Sequence, residues 1–141
     1  RRSSGVLPDP ATRVWLGDSM GEMAAYYALA DIALIGGSLL PFGGQNLIEA
    51  AACGCPVLVG EHTFNFAQAS QDAVASGAAR RVADARQAAL VVAQLFGEPG
   101  DARQSLDAMR AAAMRFSAAH RGATARTLAL IRPLIEPRAV R

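Results

Sequence analysis

The sequence predicts an α/β fold, a parallel sheet flanked by helices, and three observations predict it. The apolar runs Ile32 to Ile35 and Val57 to Val59 are continuous rather than alternating, as expected of strands covered on both faces. Segments with apolar residues at helical spacing separate them. Each run stops at glycine, Gly36-Gly37 or Gly60, and turns through a loop into the next helix, the repeating unit of a parallel sheet.

Residues 1–12 are polar and contain proline, and read as a linker or a remnant of upstream units, leaving 13–141 as the domain. Val14-Trp15-Leu16 is a short strand candidate closed by Gly17-Asp18. Ser19-Met20-Gly21-Glu22 has the S-x-x-E form of a capping box, and Met23, Ala24, Tyr27, Ala28 and Leu29 follow at helical spacing. After the strand ending at Ile35, Asn46 is placed to cap a helix that ends at Cys53-Gly54. Pro56 blocks continuation before the strand Val57 to Val59. Thr63 or Asn65 caps a helix running to Ser76, and Gly77 stops it. Ala79 to Ala83 is a weak edge strand, Asp84 caps a helix through Phe96, and Gly97-Glu98-Pro99-Gly100 is a turn. Asp101 caps a helix through Ala119, Gly122 breaks it, and a last helix runs from Ala123 to Arg132, closed by Pro133. Four short strands are few beside the roughly six of a doubly wound domain. The first βα units are therefore expected upstream of Arg1.

At 141 residues and 52% hydrophobic content the chain is long and apolar enough for one cored domain. It has no apolar run of roughly 18 residues to span a membrane, and its first residues lack the apolar stretch of a signal peptide. Cys53 and Cys55 flank Gly54 too closely for an unstrained disulfide and read as buried thiols, which makes a cytoplasmic setting the default. Residues 1–77 carry three arginines against seven acids, whereas 78–141 carry eleven against five, and every cation is arginine. A basic second half of this kind is first a solvated helical face; anionic lipid, nucleic acid or a partner surface are the functional readings.

The chain is organised around residues 33–49, a strand, a glycine loop and a helix start. A helix start offers unpaired N–H groups and the positive end of a dipole, which suits a nucleotide phosphate, and ligands of open α/β sheets bind off the carboxyl ends of strands. Gly37, Ser38, Gly43, Gly44, Gln45 and Asn46 are the candidate ligand-binding residues of this loop. The glycine pairs match neither the dinucleotide fingerprint nor a Walker A sequence, and the chain has no lysine to serve the latter. Glu49, three residues after Asn46, is either a capping-box carboxylate or an acceptor for two ribose hydroxyls. Glu22 stands in the same relation to Ser19, with capping the stronger reading, and Gly21 lets a base or phosphate approach the backbone. His62, Thr63 and Asn65 lie on the same rim after the second strand. No Ser/His/Asp set and no metal-spaced cluster is present, so no metal is expected. His120 falls at a helix end, and Arg103, Asp107 and Arg110 form a charged outer face.

Together, GDSMGEM, ADIALIGGSLLPFGGQNLIEAAACGCPVLVG and HTFNF resemble, in order and spacing, the C-terminal part of bacterial 3-deoxy-D-manno-octulosonic acid (Kdo) transferases. The likeness runs from about Trp15 to Ile131 and includes His120-Arg121-Gly122-Ala123. It implies the nucleotide-sugar-binding, Rossmann-like half of a B-type glycosyltransferase. Such enzymes transfer Kdo from CMP-Kdo to lipid A precursor with inversion, without a metal or other cofactor, at the cytoplasmic face of the inner membrane. By this resemblance Met20, Gly21 and Glu22 match the segment contacting the cytidine end. Gly43, Gly44, Gln45 and Asn46 match the loop for phosphate and sugar acid, and Glu49 matches the ribose-binding glutamate. Members often read GGHNPLEPA where this chain has GGQNLIEAA, so Gln45 replaces a histidine with a neutral amide. The family's catalytic glutamate belongs to an N-terminal domain. No catalytic residue is therefore expected in this chain, which reads as inactive alone, with the acceptor reached through that other domain, a peripheral membrane contact and no nucleic acid partner. The rival readings are a UDP-sugar transferase or epimerase of the same architecture, and a non-catalytic α/β module binding membrane or a partner.

Overall fold

The structure, a computed structural model, describes residues 1–97 and 101–135. Three strands, β1 (Ala33–Ile35), β2 (Val57–Val59) and β3 (Ala79–Arg81), form one parallel sheet in chain order. Ala33 stands opposite Val57, and Val57 opposite Ala79. Six helices accompany them: α1 (Met23–Leu29), α2 (Leu47–Ala52), α3 (Ala67–Ala75), α4 (Ala85–Leu95), α5 (Asp101–His120) and α6 (Ala123–Ile135).

Alternate side chains of β2 serve two cores, because successive residues of a strand point to opposite faces. Val57 and Val59 pack with Ile35 against Leu47, Ala50 and Ala51 of α2, Ala73 of α3, and Ala112, Ala113 and Phe116 of α5. Leu58 points the other way, to Val82 and Ala88, with Val91 and Val92 of α4 beside them. No residue of β2 is more than 1% exposed, so the continuous apolar run does mark a strand covered on both faces. Alanines at the α2–α5 contact let the two helices approach closely, which draws the start of α2 over the sheet. β1 is covered on one face only: Leu34, between Ala33 and Ile35, is 44% exposed.

Several local expectations hold. Asn46 caps α2, its side-chain oxygen accepting from the Ile48 N–H, and Asp84 caps α4 by accepting from Gln87 N–H. Gln87 returns the bond by accepting from Ala83 N–H at 2.6 Å, completing a box around the α4 start. Gly54, Gly77 and Gly122 take left-handed φ angles of 70°, 78° and 81°, where a helix must turn away.

Others do not hold. Val14-Trp15-Leu16 is not a strand: its contact with residues 1–4 is a single backbone bond, Arg2 N–H to Leu16 O at 2.8 Å, which builds no ladder, and Val14 is 86% exposed. The sheet therefore has three strands rather than four among the described residues. Ser19 does not cap α1; Glu22 itself occupies the N-cap position, without a side-chain cap bond. Neither Thr63 nor Asn65 caps α3, since a 3-10 turn, Phe64–Phe66, intervenes and leaves Phe66 at its start. Pro133 does not end α6, which continues to Ile135: so near the terminus, the proline forfeits one backbone bond and the last turn survives it. The edge strand is shorter than 79–83, although Val82 N–H still reaches Val59 O at 2.8 Å. The turn expected at 97–100 falls on 98–100, outside the described residues, and so does any cap ahead of α5, which begins at Asp101 itself.

Candidate functional site

The loops after β1 and β2 are fastened together, and their junction is built on glycines. Beyond Ile35 the chain makes a 3-10 turn, Gly36–Ser38. Ser38 is fully buried; its hydroxyl donates to Ile35 O and accepts from Gly60 N–H at 2.7 Å. His62 N–H donates to Ser38 O at 3.0 Å, and Asn65 N–H to Gly43 O at 3.1 Å. The Asn65 side-chain amide adds a bond to Phe42 O at 3.3 Å. Arg81 reaches across from β3, its Nη1 donating to Gly60 O at 2.7 Å. Gly43 and Gly44 have φ of 88° and 74°, and a Cβ on Gly43 would lie 2.6 Å from the Phe64 ring. That pair is demanded by the turn itself.

Gly36 and Gly37 are different. Neither has a positive φ, and a Cβ on either would meet no heavy atom within 4 Å. Nothing in the chain's own packing demands glycine there, so their bareness leaves room in front of the loop. Two N–H groups near this space are used internally: Gly44 N–H donates to Gly37 O at 3.2 Å and Ile48 N–H to Asn46. The N–H groups of Gln45, Asn46 and Leu47 donate to nothing among the described residues. Gln45 is exposed.

Glu49 does not fold back onto its own peptide. Its Oε1 accepts from the Asn46 side-chain amide at 3.0 Å, and the exposed carboxylate keeps Oε2 without a hydrogen bond among the described residues. It lines a cavity of about 450 Å³ between α1 and α2, shared with Gly21, Met23, Ala24, Ala52 and Cys53. Two expected residues from distant parts of the chain, Gly21 and Glu49, are thus brought to one pocket whose walls are otherwise apolar. Tyr27 adjoins it: burial first, and then the charge of Glu49, raise its hydroxyl above the ordinary range. Tyr27 and Cys53 were not expected here. The i, i+4 spacing of Met23 and Tyr27 was the available sign, since it turns one stripe of α1 toward α2.

The expected positions divide accordingly. Gly37, Gly43, Gly44, His62, Thr63 and Asn65 gather at the loop junction; Asn46 and Glu49 stand at the α2 start; Gly21 joins Glu49 across the pocket. Ser38 is in the junction, its hydroxyl a buried strut bonded within the protein. Met20 is 96% exposed at the tip of its turn. Glu22 binds within the protein: Arg2 Nη2 donates to it at 2.7 Å, and Ser19 donates to the same carboxylate. Of the two thiols expected to be buried, Cys55 is, and burial pushes it up to about 11, while Cys53 is half-buried on the pocket wall. His120 donates from Nδ1 to Phe116 O within the last turn of α5. Arg110 is not a free outer charge, for it pairs with Asp107 at 3.2 Å and with Asp31 at the approach to β1. Among the described residues no three His, Cys, Asp or Glu stand together as a metal site would need.

Residues 1–4 dock on the loop before α1. Besides Arg2–Glu22, Ser3 donates its hydroxyl and its N–H to the Asp18 carboxylate at 2.7 and 2.9 Å. The Ser19 bond first, and then Arg2, hold the Glu22 carboxyl below its ordinary 4.5; Ser3 lowers that of Asp18 below 3.8. A lowered native value stabilises the docked state above the ordinary value and loses it as pH falls. Acidification through and below this range is therefore expected to free residues 1–4 before the sheet yields. Hydrogen exchange at the Ser3 amide, corrected for intrinsic rate, should quicken at pH 3 relative to pH 6 while that of Val57 does not.

A parallel α/β sheet with its loops gathered off the carboxyl ends of β1 and β2, beside an uncommitted helix start, defines a protein of the open α/β class, whose ligands bind off such strand ends. No protein-family model matches the chain. It is 56% identical over 129 residues to the 3-deoxy-D-manno-octulosonic acid transferase of Bordetella pertussis, covering 91% of this chain and 29% of that protein. With the enzyme of the same name from Haemophilus influenzae the identity is 39% over 139 residues, or 96% of this chain and 31% of the relative. In structure it is similar to the C-terminal CMP-Kdo binding domain of WaaA from Acinetobacter baumannii, with TM-score 0.71 and 33% identity over 82% of this chain and 58% of that one. The chain is homologous to the 3-deoxy-D-manno-octulosonic acid transferases, and its fold is that of the WaaA C-terminal domain. It spans under a third of the length of these curated relatives.

Proposed function

We propose that this chain is the donor-binding part of a Kdo transferase and holds CMP-Kdo at the junction of the β1 and β2 loops. The observation that carries the reading is the convergence of Gly21 and Glu49 on one pocket, next to three N–H groups, of Gln45, Asn46 and Leu47, that have no partner among the described residues. The apolar pocket walls take the nucleoside, with Gly21 giving the base close access to the backbone. Glu49 accepts the ribose hydroxyls through the oxygen that Asn46 leaves open. The phosphate lies over bare Gly37 and takes the unpaired N–H groups, which also stabilise charge on the departing nucleotide. Met20, at the exposed tip, closes over the cytidine end, and Glu22 acts through the docked N-terminal turn rather than by touching the ligand. The acceptor, a lipid A precursor, and the catalytic base belong to the longer enzyme, working at the cytoplasmic face of the inner membrane.

Truncating Glu49 removes a charged acceptor from two hydroxyl donors. Glu49→Ala is expected to weaken CMP binding at least about tenfold, or about 1.4 kcal/mol, in calorimetric titration, with the circular dichroism of the fold unchanged. Equal affinity in the variant, or no uptake of CMP by the wild type, would refute the assignment. Stronger binding of UMP than of CMP would transfer the site to a uridine-nucleotide enzyme.

A further inference from the structure

Away from the loop junction, the outer edge of β3 faces α5 across a groove of about 670 Å³. Its cationic lining is Arg80, Arg81 and Arg115, and no aspartate or glutamate among the described residues lines it. Arg81 is engaged through Nη1 with Gly60 O, but Arg80 and Arg115 make no ion pair or hydrogen bond among the described residues. Arg2 and Arg110, by contrast, have carboxylate partners. Ser76 and Ser105 add hydroxyls to the wall, and Met109 and Ala112 close its floor.

Charges on an edge strand often serve only to block pairing with another sheet, and for that purpose they extend into water. Arg80 is instead half-buried, with the exposed Arg115 across the groove. Two guanidinium groups on one groove without a counter-charge among the described residues repel each other. The planar donor fork of arginine matches phosphate oxygens with two parallel bonds, and a pair of forks suits a doubly charged group.

We propose that the groove between β3 and α5 binds a phosphate-class anion, gripped by Arg80 and Arg115. The site is separate from the proposed donor pocket and does not depend on it. The anion is either a soluble phosphate compound or the phosphomonoester headgroup of a lipid at a membrane surface.

Calorimetric titration of inorganic pyrophosphate into the protein, with CMP present to occupy any nucleotide site, tests the proposal. Saturable binding with one anion per chain is expected, weakened at least tenfold in Arg80→Gln and in Arg115→Gln and unchanged in Arg103→Gln. Co-sedimentation with vesicles of phosphatidylcholine containing phosphatidic acid is the second arm. Binding there with the same variant pattern identifies a lipid headgroup, and binding of pyrophosphate alone identifies a soluble ligand. A third measurement needs no variant: pyrophosphate should protect Arg80 and Arg115 from phenylglyoxal, read by mass spectrometry of the wild type. The proposal is overturned if neither probe binds, if Arg103→Gln loses as much as the other two, or if the two arginines are modified equally with and without pyrophosphate.

Discussion

Gly60→Ala is expected to destabilise the fold by about 3 kcal/mol or more, although it adds one methyl group. The new Cβ would sit 2.5 Å from the Ser38 carbonyl carbon and 2.8 Å from Leu39 N, both backbone atoms that no rotamer change can move aside. Relief requires the β1 loop to retreat, which breaks the bonds from Gly60 N–H to Ser38 Oγ and from His62 N–H to Ser38 O. Urea unfolding should show the midpoint falling with an unchanged slope. Gly37→Ala is the counterpart. A Cβ there meets nothing and the φ is not left-handed, so stability should hold or rise by about 0.5 kcal/mol while CMP affinity drops. Equal stability losses in the two variants would contradict the packing described.

Leu47→Ala is expected to cost about 2–5 kcal/mol. Leu47 is the first residue of α2 and 1% exposed, packed in the core shared by β1, β2 and α5. Its side chain pins the helix start that carries Asn46 and Glu49, so the loss should appear twice, as a lower midpoint and as weaker CMP binding by protein that is still folded. Leu47→Ile, which keeps the volume, should retain most of both. A variant that loses stability but binds CMP as the wild type does would show that the α2 start is held independently of the core.

What was legible beforehand was local. Asn46 and Asp84 could be recognised as caps because each bonds an N–H two or three residues away. The continuous run at β2 announced a strand with two covered faces because burial acts on every residue in it. What escaped depended on partners far along the chain. Ser38 looked like a residue facing a ligand, yet its hydroxyl is spent on Gly60, 22 positions later. Glu22 suggested a cap, and it makes none; its carboxylate is held by Arg2, 20 positions earlier. Val14-Trp15-Leu16 has strand-forming residue types, but strand preference needs a paired strand to act on and a single bond from Arg2 N–H to Leu16 O does not supply one; Trp15 meets the Tyr26 ring edge-on at 6.0 Å. The pocket could be suspected from Gly21 and Glu49 separately, whereas Cys53 became part of its wall, and Tyr27 its neighbour, only through the packing of α1 on α2.

The fastening of residues 36–46 to residues 60–65 bears on how such proteins can be re-engineered. A chimaera that imports one of these segments from a homologue and retains the other would mate a foreign glycine turn with a native Asn65 and Gly60. The two halves should be transplanted as a pair. Ligand preference at the proposed site would then be expected to change through matched exchanges on both sides of the seam, with single replacements on either side proving poor stepping stones.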